Sequence, residues 1–438
     1  MTRFLTTFVV LSLFAFSPLT SAHAAGPVAP ADTADEAVVS VFDDETDDET
    51  DDETDDESTD ADESAAAPQS DEPSLNVNIN GSLRFNALFR SYGGGSSFDQ
   101  SSDRVLGDGG FTFDTFRIGA SGSYGDLVFD AEYAVYPDAF GGLYLHHGWA
   151  GYNFSETRQV QVGVSQVPFG IQPYASSSWF FNNTYYVGLE DDYDAGVKAV
   201  LSPGNWDIQG AYYMNPEGTT FYGNSTPDRY SYDVIPGQGQ SIVEEHQFNA
   251  KVAYTFDHDG LGFTKLGVSG QRGQLLDQNT GDTDWHAAYA VHLQGRYGGF
   301  ETKLEFMQQE LNPPNTNDRF TSMGAYGGTY RVANKHTVYS SSLAYHIPLD
   351  VGPVSEVKPY YDFSQVTKDV DAWNDNVSHV IGFLTSAGPM FIYTDLIVSK
   401  NHPFNFSFRE NTEFASVMAE GDDNEWRTAF NVNIGIYF

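Results

Sequence analysis

The sequence predicts an all-β chain, a transmembrane antiparallel β-barrel of about sixteen strands, and three observations predict it. From Leu75 onward, apolar and polar residues alternate with a period of two in segments recurring about every twenty residues, the pattern of strands with one apolar and one polar face. The connections alternate between long and short, as in a barrel whose tight turns face the periplasm and whose long loops face outside. Apolar residues fill every second position from Phe430 to the terminal Phe438. A secreted β-sandwich also explains the alternation, but it gives no reason for the alternating loop lengths or for a strand that ends on the last residue.

The composition narrows the classes further. The 438 residues hold 61 Asp plus Glu against 21 Lys plus Arg, a net charge of −40, which argues against a nucleic-acid partner because phosphate backbones are held by excess Lys and Arg. Cysteine is absent, so disulfide frameworks, thiolate metal sites and thiol nucleophiles are excluded. Aromatics reach 15% and glycines number 42, a balance that suits strands and turns better than helices.

Taken in order, residues 1–24 read as a secretory signal: Arg3, the apolar run Phe4 to Phe16, and the Ala22-His23-Ala24 cleavage site. Its apolar core is too short for a spanning helix of about 20 residues, so membrane insertion has to be by strands. Residues 25–74 form an acidic segment built on Asp43-Asp44-Glu45-Thr46 and its repeats, with 20 acidic residues and no Lys or Arg over 26–73. With almost nothing apolar to bury, this periplasmic tail is expected to stay disordered, as a solvated linker rather than a cation buffer or a visitor to a basic lumen.

Residues 75–438 carry the barrel. Leu75, Val77, Ile79, Leu83, Phe85, Ala87 and Phe89 mark one face of the first strand, and Asn76, Asn78, Ser82, Arg84, Asn86 and Arg90 the other. Sixteen segments begin near 75, 111, 126, 142, 158, 194, 205, 244, 263, 284, 299, 333, 354, 377, 388 and 424. Register is ambiguous in the fourth and fourteenth, where both parities carry apolar residues. Long connections fall at 91–110, 167–193, 215–243, 312–332 and 400–424, and short ones include Ser202-Pro203-Gly204-Asn205 and Tyr297-Gly298-Gly299.

The stretch Gln161-Val162-Gly163-Val164-Ser165-Gln166-Val167-Pro168-Phe169-Gly170, followed by a long loop, resembles the G-Q-x-x-x-P-F-G segment of the porin O/P family of outer-membrane proteins. Asp191-Asp192-Tyr193-Asp194-Ala195-Gly196-Val197 continues the likeness. The resemblance implies a homotrimeric sixteen-stranded porin in the outer membrane of a Gram-negative bacterium, with its third long loop folded into the lumen. It implies lipid and lipopolysaccharide around the barrel, small hydrophilic solutes or ions within it, no cofactor, and delivery to the barrel-assembly machinery through the strand ending in Phe438. The anion preference attached to the family label does not transfer by itself.

Where the function is a channel, the relevant chemistry is the charge and width of the constriction. Giving each strand's apolar parity to lipid leaves Arg84, Arg90, Arg117, Lys198, Lys251, Lys265, Arg296, Lys303, Lys358 and Arg427 for the inner wall, with Asp130, Glu132, Asp207, Glu301, Glu305, Asp362 and Asp395. Closure of the barrel would gather Arg84, Arg90, Arg117 and Arg427 into one patch, either an anion ladder or a set neutralised by neighbouring acids. The third loop, Phe169 to Tyr193, supplies Trp179, Phe180, Phe181, Tyr185 and Tyr186, then Glu190, Asp191 and Asp192, with Asp194 on the next strand. Its acids could oppose the arginines across the pore. Its aromatics could stack on sugar rings, although packing onto the wall is the expected role.

Other motifs weaken on inspection. Asp257-His258-Asp259-Gly260 lacks the further ligands of a calcium loop and falls in a short turn. His146 and His147, adjacent on a strand, should point to opposite faces and share no metal. No G-x-S-x-G elbow supports catalysis. The expected function is passive, weakly selective diffusion of small hydrophilic solutes and ions, with no catalytic residues and no metal, and the alternative is a channel specific for phosphate-like anions or carbohydrates.

Overall fold

The computed structural model describes residues 73–90, 108–179, 182–405, 415–421 and 424–438. The expected signal peptide, the acidic segment up to residue 72, loop residues 91–107 and 406–414, and Phe180 and Phe181 lie outside the described residues.

In chain order the strands are β1 (Leu75–Arg90), β2 (Asp108–Tyr124), β3 (Leu127–Val135), β4 (Leu143–Ser155), β5 (Arg158–Gln166), β6 (Tyr193–Leu201) and β7 (Trp206–Pro216). There follow β8 (Asp233–Val234), β9 (Ile242–Asp257), β10 (Gly262–Asp277), β11 (Thr283–Tyr297), β12 (Phe300–Leu311), β13 (Phe320–Ala325) and β14 (Gly328–Ala333). The chain closes with β15 (Lys335–Tyr345), β16 (Ile347–Val351), β17 (Val354–Lys368), β18 (Asn376–Ala387), β19 (Met390–Lys400) and β20 (Arg427–Tyr437).

Each barrel strand pairs antiparallel with its neighbours, and β1 pairs with β20 from Ser82↔Tyr437 to Arg90↔Ala429, which closes the sheet. Both β15 and β16 pair with β17, so they are one strand interrupted at His346. With β8, β13 and β14 set apart in a small sheet of their own, the barrel has sixteen strands, and each expected start lies within three residues of the observed one. Closure is what a bilayer requires, because an open edge would leave backbone groups without partners in hydrocarbon.

Sequence decides the two ends of the barrel. Seven tight turns of two to four residues join strands at one end, and every connection at the other end is longer. Gly125 and Gly298 open two-residue turns at φ +59° and +60°, values a side chain resists. Outward residues such as Val268, Val291, Leu304 and Ile381 form an exposed apolar band. Near the turn end a belt of paired aromatics borders it: Tyr152 with Phe154, Trp206 with Tyr254, and Phe300 with Tyr345 at 4.6 Å. An apolar band edged by aromatics is the surface of a membrane-spanning barrel.

The apolar core sits inside the barrel at the loop end. It is built from the third loop (Phe169, Tyr185, Tyr186, Val187, Leu189) against wall residues such as Met307 and Leu311 and against the other long loops. The β13–β14 hairpin of the sixth loop pairs with β8 of the fourth, and Val332 bridges to Met418 of the last.

The expectation that His146 and His147 face opposite sides is incorrect. Pairing of β3 with β4 shifts from Glu132↔His147 to Tyr133↔Leu145, so His146 is the extra residue of a β-bulge and both imidazoles turn inward, with their Nδ1 atoms 2.8 Å apart. A second shift, between β1 and β2, leaves Asp114 as an extra residue and carries its carboxylate to the inner wall beside Arg84.

At Gly163 of β5, φ is +136° and a Cβ would lie 2.3 Å from the Gly148 carbonyl oxygen. We expect Gly163→Ala to destabilise the barrel by about 1–3 kcal/mol in denaturant unfolding in detergent. Gly210→Ala, whose Cβ would meet nothing closer than 3.9 Å, should change stability by less than about 0.5 kcal/mol.

Candidate functional site: a loop across the lumen

The third loop leaves β5 at Val167 and returns into β6 at Tyr193, and between them it crosses the barrel interior. Backbone donors along it need acceptors once water is excluded, and the inner wall provides them in order. Gly170 N donates to Ser269 Oγ of β10 (2.9 Å) and Ile171 N to Glu305 Oε1 of β12 (2.8 Å). Ser177 N and Ser178 N both donate to Asp362 Oδ2 of β17, at 3.0 and 2.7 Å, and Asn183 N to Ser364 Oγ at 3.0 Å. Lys303 Nζ donates to the Tyr174 carbonyl, and Lys251 Nζ to Gln172 Oε1 at 2.6 Å. The lumen residues Glu305, Asp362, Lys251 and Lys303, read from sequence as bare wall charges, are therefore the anchors of the loop.

Of the four arginines, Arg84 and Arg117 meet: both are fully buried and both reach the Tyr136 hydroxyl, at 3.4 and 3.1 Å. Each also has an acid beside it, Asp114 at 3.5 Å for Arg84 and Glu132 at 3.1 Å for Arg117. Arg84 lies over the Trp179 ring at 4.3 Å, so the loop's tryptophan packs on the patch. Arg90, opposite Ala429, and Arg427, opposite Ser399, stand toward the loop end of the same wall. Lys198 lies on β6, donating to the Gln166 carbonyl at 3.0 Å, and Arg296 lies on β11 beside the turn end. These two are not part of the arginine patch.

The described aromatics Trp179, Tyr185 and Tyr186 of the loop are occupied by packing. Tyr185 and Tyr186 are 3% and 4% exposed and contact Tyr232 edge-on and tilted, at 5.2 and 5.4 Å. The Tyr330 hydroxyl donates to the Tyr186 carbonyl at 2.6 Å. Tyr136, Tyr144, Tyr230 and Tyr326 continue this cluster toward β3 and β4.

The acidic end of the loop is also held. Glu190 accepts from Ala175 N at 2.9 Å and from the Thr184 hydroxyl, and burial pushes its carboxyl up to about 8. Asp191 accepts from the Tyr230 hydroxyl at 2.5 Å. Asp192 and Asp194 sit with Asp233 of the fourth loop. Asp114, Tyr136, Arg229 and Asp233, all in these clusters, were not foreseen, since a bulge or a distance of some forty residues separates them from the motifs that drew attention.

No protein-family model matches the chain, and no curated protein matches it by sequence. Solved structures do match in fold. The outer-membrane channel DcaP of Acinetobacter baumannii is 12% identical, with a TM-score of 0.53, covering 83% of this chain and 97% of that one. OmpT, an outer-membrane protein of Vibrio cholerae solved in a trimer form, is 14% identical with a TM-score of 0.51, covering 83% and 99%. The fold is that of outer-membrane channels. Within it, the Gln161–Gly170 stretch that resembles the porin O/P segment is the end of β5 and the entry of the inward loop.

Two outcomes follow. Asp362→Ala leaves two buried loop amides without their acceptor, which costs about 1–3 kcal/mol. The third loop should then become cleavable by protease in a barrel that still migrates as folded on a detergent gel. Glu190, with its raised pKa, favours the anchored loop while protonated, so that contribution is full below about 4.5 and lost as pH rises through about 8. Protease sensitivity of the loop should rise over that window, and Glu190→Gln, which cannot ionise, should flatten the rise.

Proposed function

We propose that the chain is an outer-membrane porin that passes small hydrophilic solutes and ions down their gradients with weak charge preference. The observation that carries this reading is the inward third loop, pinned over its early half to a polar, charged inner wall and at its return to the fourth loop: a fixed constriction in a barrel is how a diffusion channel sets its width. Weak selectivity is supported by compensation. Arg84 and Arg117 have Asp114 and Glu132, Lys265 has Asp207 at 2.8 Å, Lys303 has Glu301 at 3.5 Å, and Glu301 also faces His346. A wall in which both signs alternate at short range leaves little net field for either ion.

The finer features of the reading are membership of the porin O/P type, supported by the Val167-Pro168-Phe169-Gly170 entry to the loop, and a homotrimer, for which the trimer form of OmpT is a parallel. The outward, exposed Phe438 and the apolar parity behind it suit recognition by the barrel-assembly machinery.

The test is the reversal potential of the refolded barrel across a potassium chloride gradient in a planar bilayer, with and without residues 26–73. A potential near zero is expected. Replacing Arg84 and Arg117 by Gln should move it toward the potassium potential. A wild-type value close to the chloride potential would replace weak selectivity by an anion channel governed by the arginines, and a folded barrel that conducts nothing would end the porin reading.

A further inference from the structure

At the loop end, outside the arginine patch, five carboxylates converge from three segments. Asp192 and Asp194 come from the return of the third loop into β6, Glu217 and Asp233 from the fourth loop, and Glu244 from the start of β9 beside Asp233. Asp192, Asp194 and Asp233 are 8%, 2% and 2% exposed, and the Glu217 side chain 2%. Among the described residues a single guanidinium faces them: Arg229 pairs with Asp233 at 2.5 Å and Glu217 at 3.7 Å, and also donates to Thr226 O and Ser225 Oγ. Four buried acids and the half-buried Glu244 against one arginine among the described residues is an arrangement that burial penalises heavily unless another positive charge or protons enter.

The carboxylate geometry favours a metal ion. One oxygen from each of Asp192, Asp194 and Asp233 lies within 4.8 Å of the others, the span of oxygens on a cation with bonds of about 2.4 Å. Asp192 Oδ1 and Asp194 Oδ1, both buried, have no hydrogen-bond donor among the described residues, while the second oxygen of Asp194 is held by Gln247 Nε2 at 3.1 Å. The donor set is oxygen only, which disfavours zinc and copper. Magnesium usually keeps several waters and takes one or two carboxylates, whereas calcium accepts six to eight oxygens in irregular geometry, so a site offering several carboxylates favours calcium.

We propose that Asp192, Asp194 and Asp233, backed by Glu217 and Glu244, bind one calcium ion that clamps the return of the third loop to the fourth loop and the barrel wall. The clamp fixes the end of the loop that the wall anchors on β10, β12 and β17 do not reach. The proposal rests on the loop geometry and stands whether or not the barrel conducts.

The experiment uses the full chain, refolded free of lipopolysaccharide, with thermal unfolding followed in detergent at pH 7.5 in a chelator, in calcium chloride and in magnesium chloride. Calcium is expected to raise the midpoint with a half-effect at about 10⁻⁴–10⁻³ M, the range of extracellular sites. Asp192→Asn with Asp194→Asn should remove the calcium shift. The same change should raise the midpoint in chelator, since it relieves repulsion, so loss of the shift is separable from failure to fold. Asp257→Asn with Asp259→Asn, in the turn between β9 and β10, should keep the full shift, and loss of the shift in the Asp192/Asp194 variant, which retains the acidic segment, separates the site from non-specific binding there. No calcium shift in the wild type, or an undiminished shift in the Asp192/Asp194 variant, overturns the site. An equal shift with magnesium overturns its assignment to calcium.

Discussion

The hydrogen bonds between β1 and β20 are the constraint on which the rest depends. In hydrocarbon each unpaired backbone group costs several kcal/mol, so a strand-built membrane protein must join its first strand to its last, and here nine consecutive residue pairs do so. Closure at sixteen strands then creates an interior wider than side chains can fill. The chain fills it with its own loops, and those loops bring backbone amides into a place where water is scarce. The wall acids Glu305 and Asp362 and the serines 269 and 364 accept those amides. The polar inner face is thus a requirement of packing a loop inside a barrel before it is a feature of permeation.

The same requirement explains the distribution of charge. The inner wall carries both signs, and most of its basic side chains rest against an acid, a loop carbonyl or an aromatic ring. Arg84 has Asp114 on one side and Trp179 on the other, and Lys251 is divided between Asp207 at 3.8 Å and the loop's Gln172. A cation so placed contributes less to a long-range field than its formal charge suggests, because its nearest neighbour screens it at short range. Counting lumen charges by parity overstates selectivity for that reason.

Much of the fold was legible in the sequence because period-two alternation and glycine-marked turns are local signals. Leu266 and Val268 face out while Gly267 and Ser269 face in, as alternation alone requires. Legibility failed where the period breaks. The bulge at His146 turns two successive histidines inward, and the bulge at Asp114 hides the partner of Arg84 on what alternation assigns to lipid. The ambiguous register foreseen for the fourth strand coincides with the bulge at His146. The candidate site was legible only in part: the inward loop was expected, but the roles of its acids were not. Glu190 bonds within its own loop, Asp191 meets Tyr230, and Asp192 meets Asp233. Only the closed barrel brings the fourth loop over the third, and no spacing in the chain announces it.

Barrel stability and loop position are consequently separable in this architecture. The inter-strand ladder runs through every barrel strand and depends on no residue of the third loop. The loop depends on a small set of side-chain acceptors, each contributing about 0.5–1.5 kcal/mol, or about 1.5–3 where the acceptor is a carboxylate. Removing one acceptor therefore changes the local opening of the loop far more than the unfolding of the sheet. The loop also has two unlike ends. Its early half is pinned by wall residues of β10, β12 and β17, which move only with the barrel, whereas its return is packed on tyrosines and acids of the fourth and sixth loops, held together by the small β8–β13–β14 sheet. The wall and the outer loops thus hold the third loop by different contacts, the wall fixing its early half and the outer loops its return.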